Sequence, residues 1–141
     1  MKVSTPRSTA VPSRQAASLS EQLSLGNLLA EACPSREVLK HVTSRWGVLA
    51  LMVLETRMHR FSELRRAIGG VSERMLAQTL QWLERDGFVE RVAYDVVPPH
   101  VEYSLTPLGQ EVAEKVRGLA DWIELSLPRI LAARKRPPIT S

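Results

Sequence analysis

Residues 71–87 read V-S-E-R-M-L-A-Q-T-L-Q-W-L-E-R-D-G. Ser72 is a good helix N-cap, because its hydroxyl accepts from an orphan backbone N–H of the first turn. Gly87 is a good stop, because glycine enters the left-handed region without a Cβ clash. Between them Leu76, Leu80 and Leu83 fall at i, i+4 and i+7, the apolar stripe of a helix. The other face holds Glu73, Arg74, Ala77, Gln78 and Gln81. Arg and Gln make bidentate contacts to guanine and adenine edges in a major groove, so this helix is a candidate DNA reader. The same pattern fits an amphipathic helix with a merely solvated face. The flanking sequence has to decide.

Immediately upstream, Ser62 is placed to cap a short helix over 63–68, with Leu64, Ala67 and Ile68 inward and Phe61 just outside it. Gly69-Gly70 ends that helix. Two helices joined through a short Gly-containing turn form a helix-turn-helix signature. Before it, residues 56–60 read as a polar connection and 45–55 as a helix capped by Thr43 or Ser44, apolar nearly all round and therefore central. Residues 35–42 are a further helix with Val38, Leu39 and Val42 inward and Pro34 in its first turn. A short helix is expected over 27–32.

Downstream of Gly87 the period changes from 3.6 to 2. Phe88, Val89, Val92 and Tyr94 form one β-favouring run, and Val101, Tyr103 and Leu105 alternate with polar residues in a second. Pro98-Pro99 interrupts between them, which predicts a hairpin with a loop of about six residues, the length of a wing. Thr106 then caps a helix of about twenty residues with Pro107 at its first position. Leu108, Val112, Val116, Leu119, Ile123 and Leu127 recur along it at spacings of three and four. A stripe that long outruns so small a core and points to a second subunit. Pro128 is expected to kink or end the helix.

The predicted fold is therefore mainly α with a small β-hairpin: a winged helix-turn-helix with N- and C-terminal dimerisation helices. Its domain spans 23–128, between a disordered basic arm at 1–22 and a basic tail at 129–141. The net charge of +4 comes from these ends: Lys2, Arg7 and Arg14 in the arm, and Arg129, Arg134, Lys135 and Arg136 in the tail. Between them residues 36–91 carry 10 basic and 7 acidic groups and residues 92–124 carry 2 and 6, a basic centre beside an acidic C-terminal helix that suits a DNA-facing and a partner-facing surface. The longest apolar run, 46–54, is too short to span a bilayer, and the first residues lack the apolar core of a secretion signal. With a single Cys the chain forms no internal disulfide, and a soluble cytoplasmic protein is expected.

The motifs in order are C-P-S-R-E (33–37), S-R-W (44–46), R-F-S-E-L-R-R-A-I (60–68), V-S-E-R-M-L (71–76), L-E-R-D-G-F-V-E-R (83–91), V-P-P-H-V-E-Y-S-L-T (97–106) and L-G (108–109). Over about 33–124 this sequence resembles the HxlR-type winged-helix regulators, relatives of the MarR group. The resemblance implies a homodimeric bacterial or archaeal transcription factor. It implies that the helix opening at Ser72 is the recognition helix, that 95–101 is the wing, and that the flanking helices form the dimer interface. Some members of the family sense oxidants or electrophiles such as quinones and aldehydes through a cysteine at the position of Cys33. The sequence departs from the family pattern at His100, where a basic residue is usual, and at Ala77, where a hydroxyl residue is common.

Base contacts specify a DNA sequence and phosphate contacts position the protein on it. Arg74, Gln78 and Gln81 are the candidate base readers. Glu73 either accepts from a cytosine or restrains Arg74. Ser72, Arg60, Arg65 and Arg66 are the candidate phosphate contacts, with Arg91 and His100 on the wing. Arg91 equally suits an ion pair with Glu90 or Glu102. Met75, Thr79 and Trp82 read as packing. Leu28, Val112, Val116, Leu119, Ile123 and Leu127 are the candidate dimer contacts. Cys33 stands ahead of a helix N-terminus with Arg36 and Lys40 one and two turns on, a setting that favours the thiolate. It also fits an inert buried cysteine. His41, His59 and His100 show no metal-ligand spacing and no Gly-rich phosphate loop is present, so no cofactor, metal or catalytic site is expected. A winged helix that binds only protein, and a DNA-binding regulator that senses a non-covalent small ligand, are the alternatives.

Overall fold

The computed structural model describes residues 18, 20–21 and 34–135. The chain divides into two compact units, Met1–Val38 and Leu39–Ser141. In the first, the Ser18 N–H donates to Glu21 Oε2 (3.0 Å) and the Glu21 N–H to Ser18 Oγ (3.2 Å). This is a reciprocal capping box, and residues 20–21 are helical. The arm expected to be disordered to residue 22 therefore contains a helix start near its end. The S-x-x-E spacing was its signal. The helix expected over 27–32 lies outside the described residues, as do Leu28 and Cys33.

The described elements of the main body are α1 (Pro34–Thr43), α2 (Arg45–Thr56), β1 (His59–Arg60), α3 (Phe61–Ile68), α4 (Glu73–Arg85), β2 (Val89–Tyr94), β3 (His100–Leu105) and α5 (Pro107–Arg134). Ser44 caps α2 by accepting from the Gly47 N–H at 3.1 Å. Ala50, Leu51 and Leu54 of α2 are fully or almost fully buried, and α3, α4 and α5 all pack on this helix. Leu64, Leu76, Leu80 and Leu83 come in from α3 and α4. The sheet is antiparallel in the order β1-β3-β2. Val89 pairs with Leu105, Arg91 with Tyr103 and Tyr94 with His100; on the other side of β3, Arg60 pairs with Glu102.

Five expectations are corrected. His59–Arg60 is a strand, not a connection; two residues are too few to show a period, and only the pairing with β3 defines them. Helix α3 opens at Phe61 with Arg60 as its cap, because the Glu63 carboxylate reaches back to accept the Arg60 N–H at 2.9 Å. Ser62 is thus inside the first turn, and Phe61 lies against Tyr103, ring centroids 6.4 Å apart. In α1, Leu39 is exposed and His41 is buried in its place, since His41 finds polar partners. The hairpin loop is residues 95–99, and His100 belongs to β3.

The fifth correction concerns the end of α5, which runs 28 residues and passes through Pro128. Proline removes one backbone hydrogen bond, but good helix formers follow it in Ile130, Leu131, Ala132 and Ala133. Arg129 Nη2 also donates to Ser126 Oγ at 3.1 Å, spanning Pro128. The first six residues of the expected tail are therefore helical.

Candidate nucleic-acid interface

Helices α3 and α4 are joined by a turn whose shape depends on Gly69 and Gly70, with φ of 70° and 75°. Only glycine adopts two such angles in succession without strain. The Gly69 N–H closes α3 onto Arg65 O at 3.0 Å, and Arg65 Nε donates to Val71 O at 3.2 Å. Arg65 therefore staples the turn from the side while the rest of its guanidinium stays exposed. Ser72 Oγ accepts from the Met75 N–H at 3.1 Å, as expected of the cap. Its own O–H is left to donate outward.

Helix α4 divides cleanly. Leu76, Thr79, Leu80 and Leu83 are buried, and Thr79 Oγ1 donates to Met75 O at 2.8 Å. Glu73, Arg74, Ala77 and Gln81 are exposed and Gln78 is half-buried. Gln78 Nε2 points at Gln81 Oε1, 3.5 Å away, so the two amides stand side by side on one face.

Two clefts flank this face. One, of about 640 Å³, lies between α3 and the start of α4 and is lined by Arg65, Arg66, Ser72 and Glu73 with Phe61, Ser62, Gly70 and Val71. It joins two guanidinium groups to a capped helix N-terminus, whose partial positive charge favours an anion. The other, of about 560 Å³, is lined by Arg74, Ala77, Gln78, Gln81 and Glu84 of α4 and by Arg91 and Tyr103 of the sheet. The structure thus gathers the three candidate base readers with Arg91 in one groove, and two candidate phosphate contacts with Ser72 in the next.

The wing residues are split. Arg91 is paired with Tyr103 on the α4 side of the sheet, whereas His100 pairs with Tyr94 on the opposite face. The His100 ring stacks on Tyr94 at 4.8 Å, and its Nε2 lies 3.4 Å from Glu102 Oε2. The Glu102 carboxylate also acts on the Tyr94 hydroxyl and holds that phenol above its usual pKa. His100 is thus engaged within the wing. Arg60 is exposed on the outer strand, opposite Glu102. Its backbone N–H holds the Glu63 carboxyl below the usual carboxylate range.

The sequence missed two features. One is the cluster of His41, Asp86 and Trp82 at the far end of α4, where the spacing of 41 and 86 gives no local signal. The other is the breadth of the apolar surface on α5. Gly109, Ala113 and Val116 are buried in the protomer, so Val116 serves the internal core and is not available to a partner. Val112 and Leu127 are half-buried. Leu119 and Ile123 are exposed, and so are Trp122, Leu125 and Leu131, which the stripe spacing did not include.

Helices α3, α4 and α5 packed on α2, with α3 and α4 joined as a helix-turn-helix and the β2–β3 hairpin as a wing, define a winged helix-turn-helix protein. The chain belongs to the HxlR-like helix-turn-helix family, whose model matches residues 41–130. It is 74% identical over 117 residues to the uncharacterized HTH-type transcriptional regulator YtfH of Escherichia coli (strain K12), covering 83% of this chain and 93% of that protein. It superposes on a solved structure of ytfH from Salmonella typhimurium, a proposed transcriptional regulator, with a TM-score of 0.75 and 72% identity over 78% of this chain and 98% of that one. It is also similar to the redox regulator HypR in its reduced form, at 32% identity and a TM-score of 0.64 over 71% of this chain and 99% of that one. The protein is a transcriptional regulator with a helix-turn-helix DNA-binding fold. No helix among the described residues is long and apolar enough to cross a membrane.

Proposed function

We propose that the chain binds a specific duplex DNA sequence as a homodimer, on an inverted repeat, and catalyses no reaction. The observation that carries this reading is the division of α4: its apolar stripe is wholly buried, and Arg74, Gln78 and Gln81 stand together on the outside beside Arg91. In this reading Arg74, Gln78 and Gln81 contact base edges. Glu73 accepts from a cytosine or restrains Arg74. Ser72, Arg65 and Arg66 hold one phosphate run, and Arg60 and Arg91 reach phosphates from the sheet. His100 is the weakest of the contacts, because Tyr94 and Glu102 already hold its ring. The exposed Leu119, Trp122 and Ile123 support pairing of two copies through α5, with Val112 and Leu127 at its margin. Two-fold pairing sets half-sites about 10 bp apart or a multiple of that.

Footprinting on the DNA upstream of the protein's own gene tests the reading. A protected inverted repeat is expected, with affinity falling steeply as salt rises. Binding that ignores sequence would contradict it.

An oxidant response through Cys33 has separate support. HypR has been solved in reduced and oxidised forms and YodB of B. subtilis after diamide treatment, and both are structural neighbours of this chain. With one Cys, the routes are a sulfenic acid, a small-thiol cap or a bond across the dimer. A gel shift of wild type and Cys33→Ser with diamide or a quinone reads this out. Release of DNA by wild type alone is expected, and identical responses would end the idea.

A further inference from the structure

The far end of α4 carries a contact that neither core packing nor the reading face requires. His41, near the end of α1, is 4% exposed. Its Nδ1 donates to Asp86 Oδ2 at 2.6 Å, and Asp86 is the C-cap of α4. Its ring lies flat on the Trp82 indole, with centroids 5.0 Å apart and planes 9° from parallel. The backbone of His41 is held from the other side: its carbonyl accepts from Ser44 Oγ at 2.9 Å, and Ser44 Oγ accepts from the Gly47 N–H at 3.1 Å. A Cβ at Gly47 would lie 2.2 Å from the His41 carbonyl oxygen, so this approach needs glycine. His41 is thus fixed by its backbone to the start of α2 and by its ring to the last turn of α4.

The remaining hold on α4 is of two kinds. Leu76, Leu80 and Leu83 decide which face turns inward, but apolar burial is non-directional. At the N-terminal end the Arg65 staple onto Val71 ties the entry of the helix to α3, while the Ser72 cap lies within the helix itself. At the C-terminal end Thr106 holds the chain just past the helix, its Oγ1 donating to Gly87 O at 2.6 Å and its N–H to Phe88 O at 3.0 Å, and the hydrogen bond and stacked rings of His41 set distance and angle on the last turn itself. A helix of 13 residues is about 20 Å long, so pinning both ends defines the direction of its axis.

We propose that His41 is a positioning residue for the reading helix. Through Asp86 and Trp82 it sets the tilt of α4 and hence the alignment of Arg74, Gln78 and Gln81 with base edges, an inference that rests on the DNA-reading role given under Proposed function. Long arginine side chains follow a phosphate through a small change of tilt, whereas bidentate base contacts do not. The lock therefore governs the sequence-specific part of affinity and leaves the nonspecific part alone.

The test uses the full chain and two duplexes of equal length, one recovered by in vitro selection with wild type and one of random sequence. His41→Phe keeps a ring on Trp82 and removes the donor. His41→Asn restores a donor near the Nδ1 position. His41→Phe is expected to weaken binding to the selected duplex about tenfold and to leave the random duplex within about twofold, while His41→Asn recovers most of the loss. Should His41→Phe fail to fold by circular dichroism, Asp86→Asn is read instead; it preserves size, and a loss of about threefold confined to the selected duplex is expected. Folded variants that bind both duplexes as wild type does, or lose both equally, overturn the positioning role. A wild-type chain that enriches no sequence overturns the DNA-reading role itself, a distinct result.

Discussion

Helices α4 and α5 both carry an apolar stripe, and they use it in opposite ways. In α4 the stripe is spent inside the protomer: Leu76, Leu80 and Leu83 are buried, and what faces out is mainly charged or amide-bearing, with Met75 and Ala77 among it. In α5 only the first third is spent, on Gly109, Ala113 and Val116; beyond it Leu119, Trp122, Ile123, Leu125 and Leu131 stay exposed. A surface of the first kind suits a polyanion with hydrogen-bonding edges. A surface of the second kind suits another apolar surface, because contiguous exposed apolar area is costly on a free monomer. On the function proposed above, one helix offers its polar face to DNA and the other its apolar face to a second copy.

The largest expected effect breaks the second half of this contrast. Leu119→Glu with Ile123→Glu leaves the protomer folded, since both side chains are exposed there, but places two charges in the proposed pairing surface. Each apolar side chain so lost forfeits about 1.5–3 kcal/mol of burial, and sedimentation should show the mass fall from two chains to one. Unchanged mass would mean that α5 meets something other than its own copy. Next in size, Leu80→Ala in the buried stripe should cost about 2–5 kcal/mol of stability by chemical denaturation. Leu125→Ala, at a position 84% exposed in the protomer, should leave the stability of a monomeric variant within about 0.5 kcal/mol. Gln81→Ala should likewise spare stability, yet cost about 1–3 kcal/mol in binding at one base position.

The order of helices, turn, hairpin and long helix was legible because each element has a local signal. Ser72 and Thr106 announce their helices by capping, Gly69-Gly70 by punctuation, and residues 101–105 by alternation. The candidate reading face was equally plain, since i, i+4 spacing alone puts Arg74 and Gln78 on one side. What stayed hidden depends on partners distant in sequence. His59–Arg60 becomes a strand only because Tyr103 and Glu102 lie beside it. His41 looks like a solvated residue until Asp86 arrives from 45 positions away. The wing's division into an Arg91 face and a His100 face follows from register, which hydrophobic pattern alone does not fix. Of the two outcomes expected at Pro128, an end to the helix is excluded, because the helix formers after it carry the helix on to Arg134.

The smallest expected effect concerns α3. The Arg60 backbone N–H holds the Glu63 carboxyl below its ordinary value near 4.5, with Arg57 adding at 3.8 Å. A carboxyl lowered in the folded state adds stability that is present above its unfolded pKa and lost as pH falls through the folded one. Wild type should therefore lose a small increment of stability below about pH 4.5 that Glu63→Gln does not lose, measured by denaturation across that range.

The most direct test of the central claim compares Arg74→Ala with Arg66→Ala on a panel of duplexes carrying single base-pair changes, across a range of salt. Arg74→Ala should lose about 1–3 kcal/mol only where its base is correct, and so relax specificity at one position. Arg66→Ala should weaken every duplex alike and lower the salt slope by about 0.9. If the two variants weakened all duplexes to the same extent, the outer face of α4 would not be reading bases.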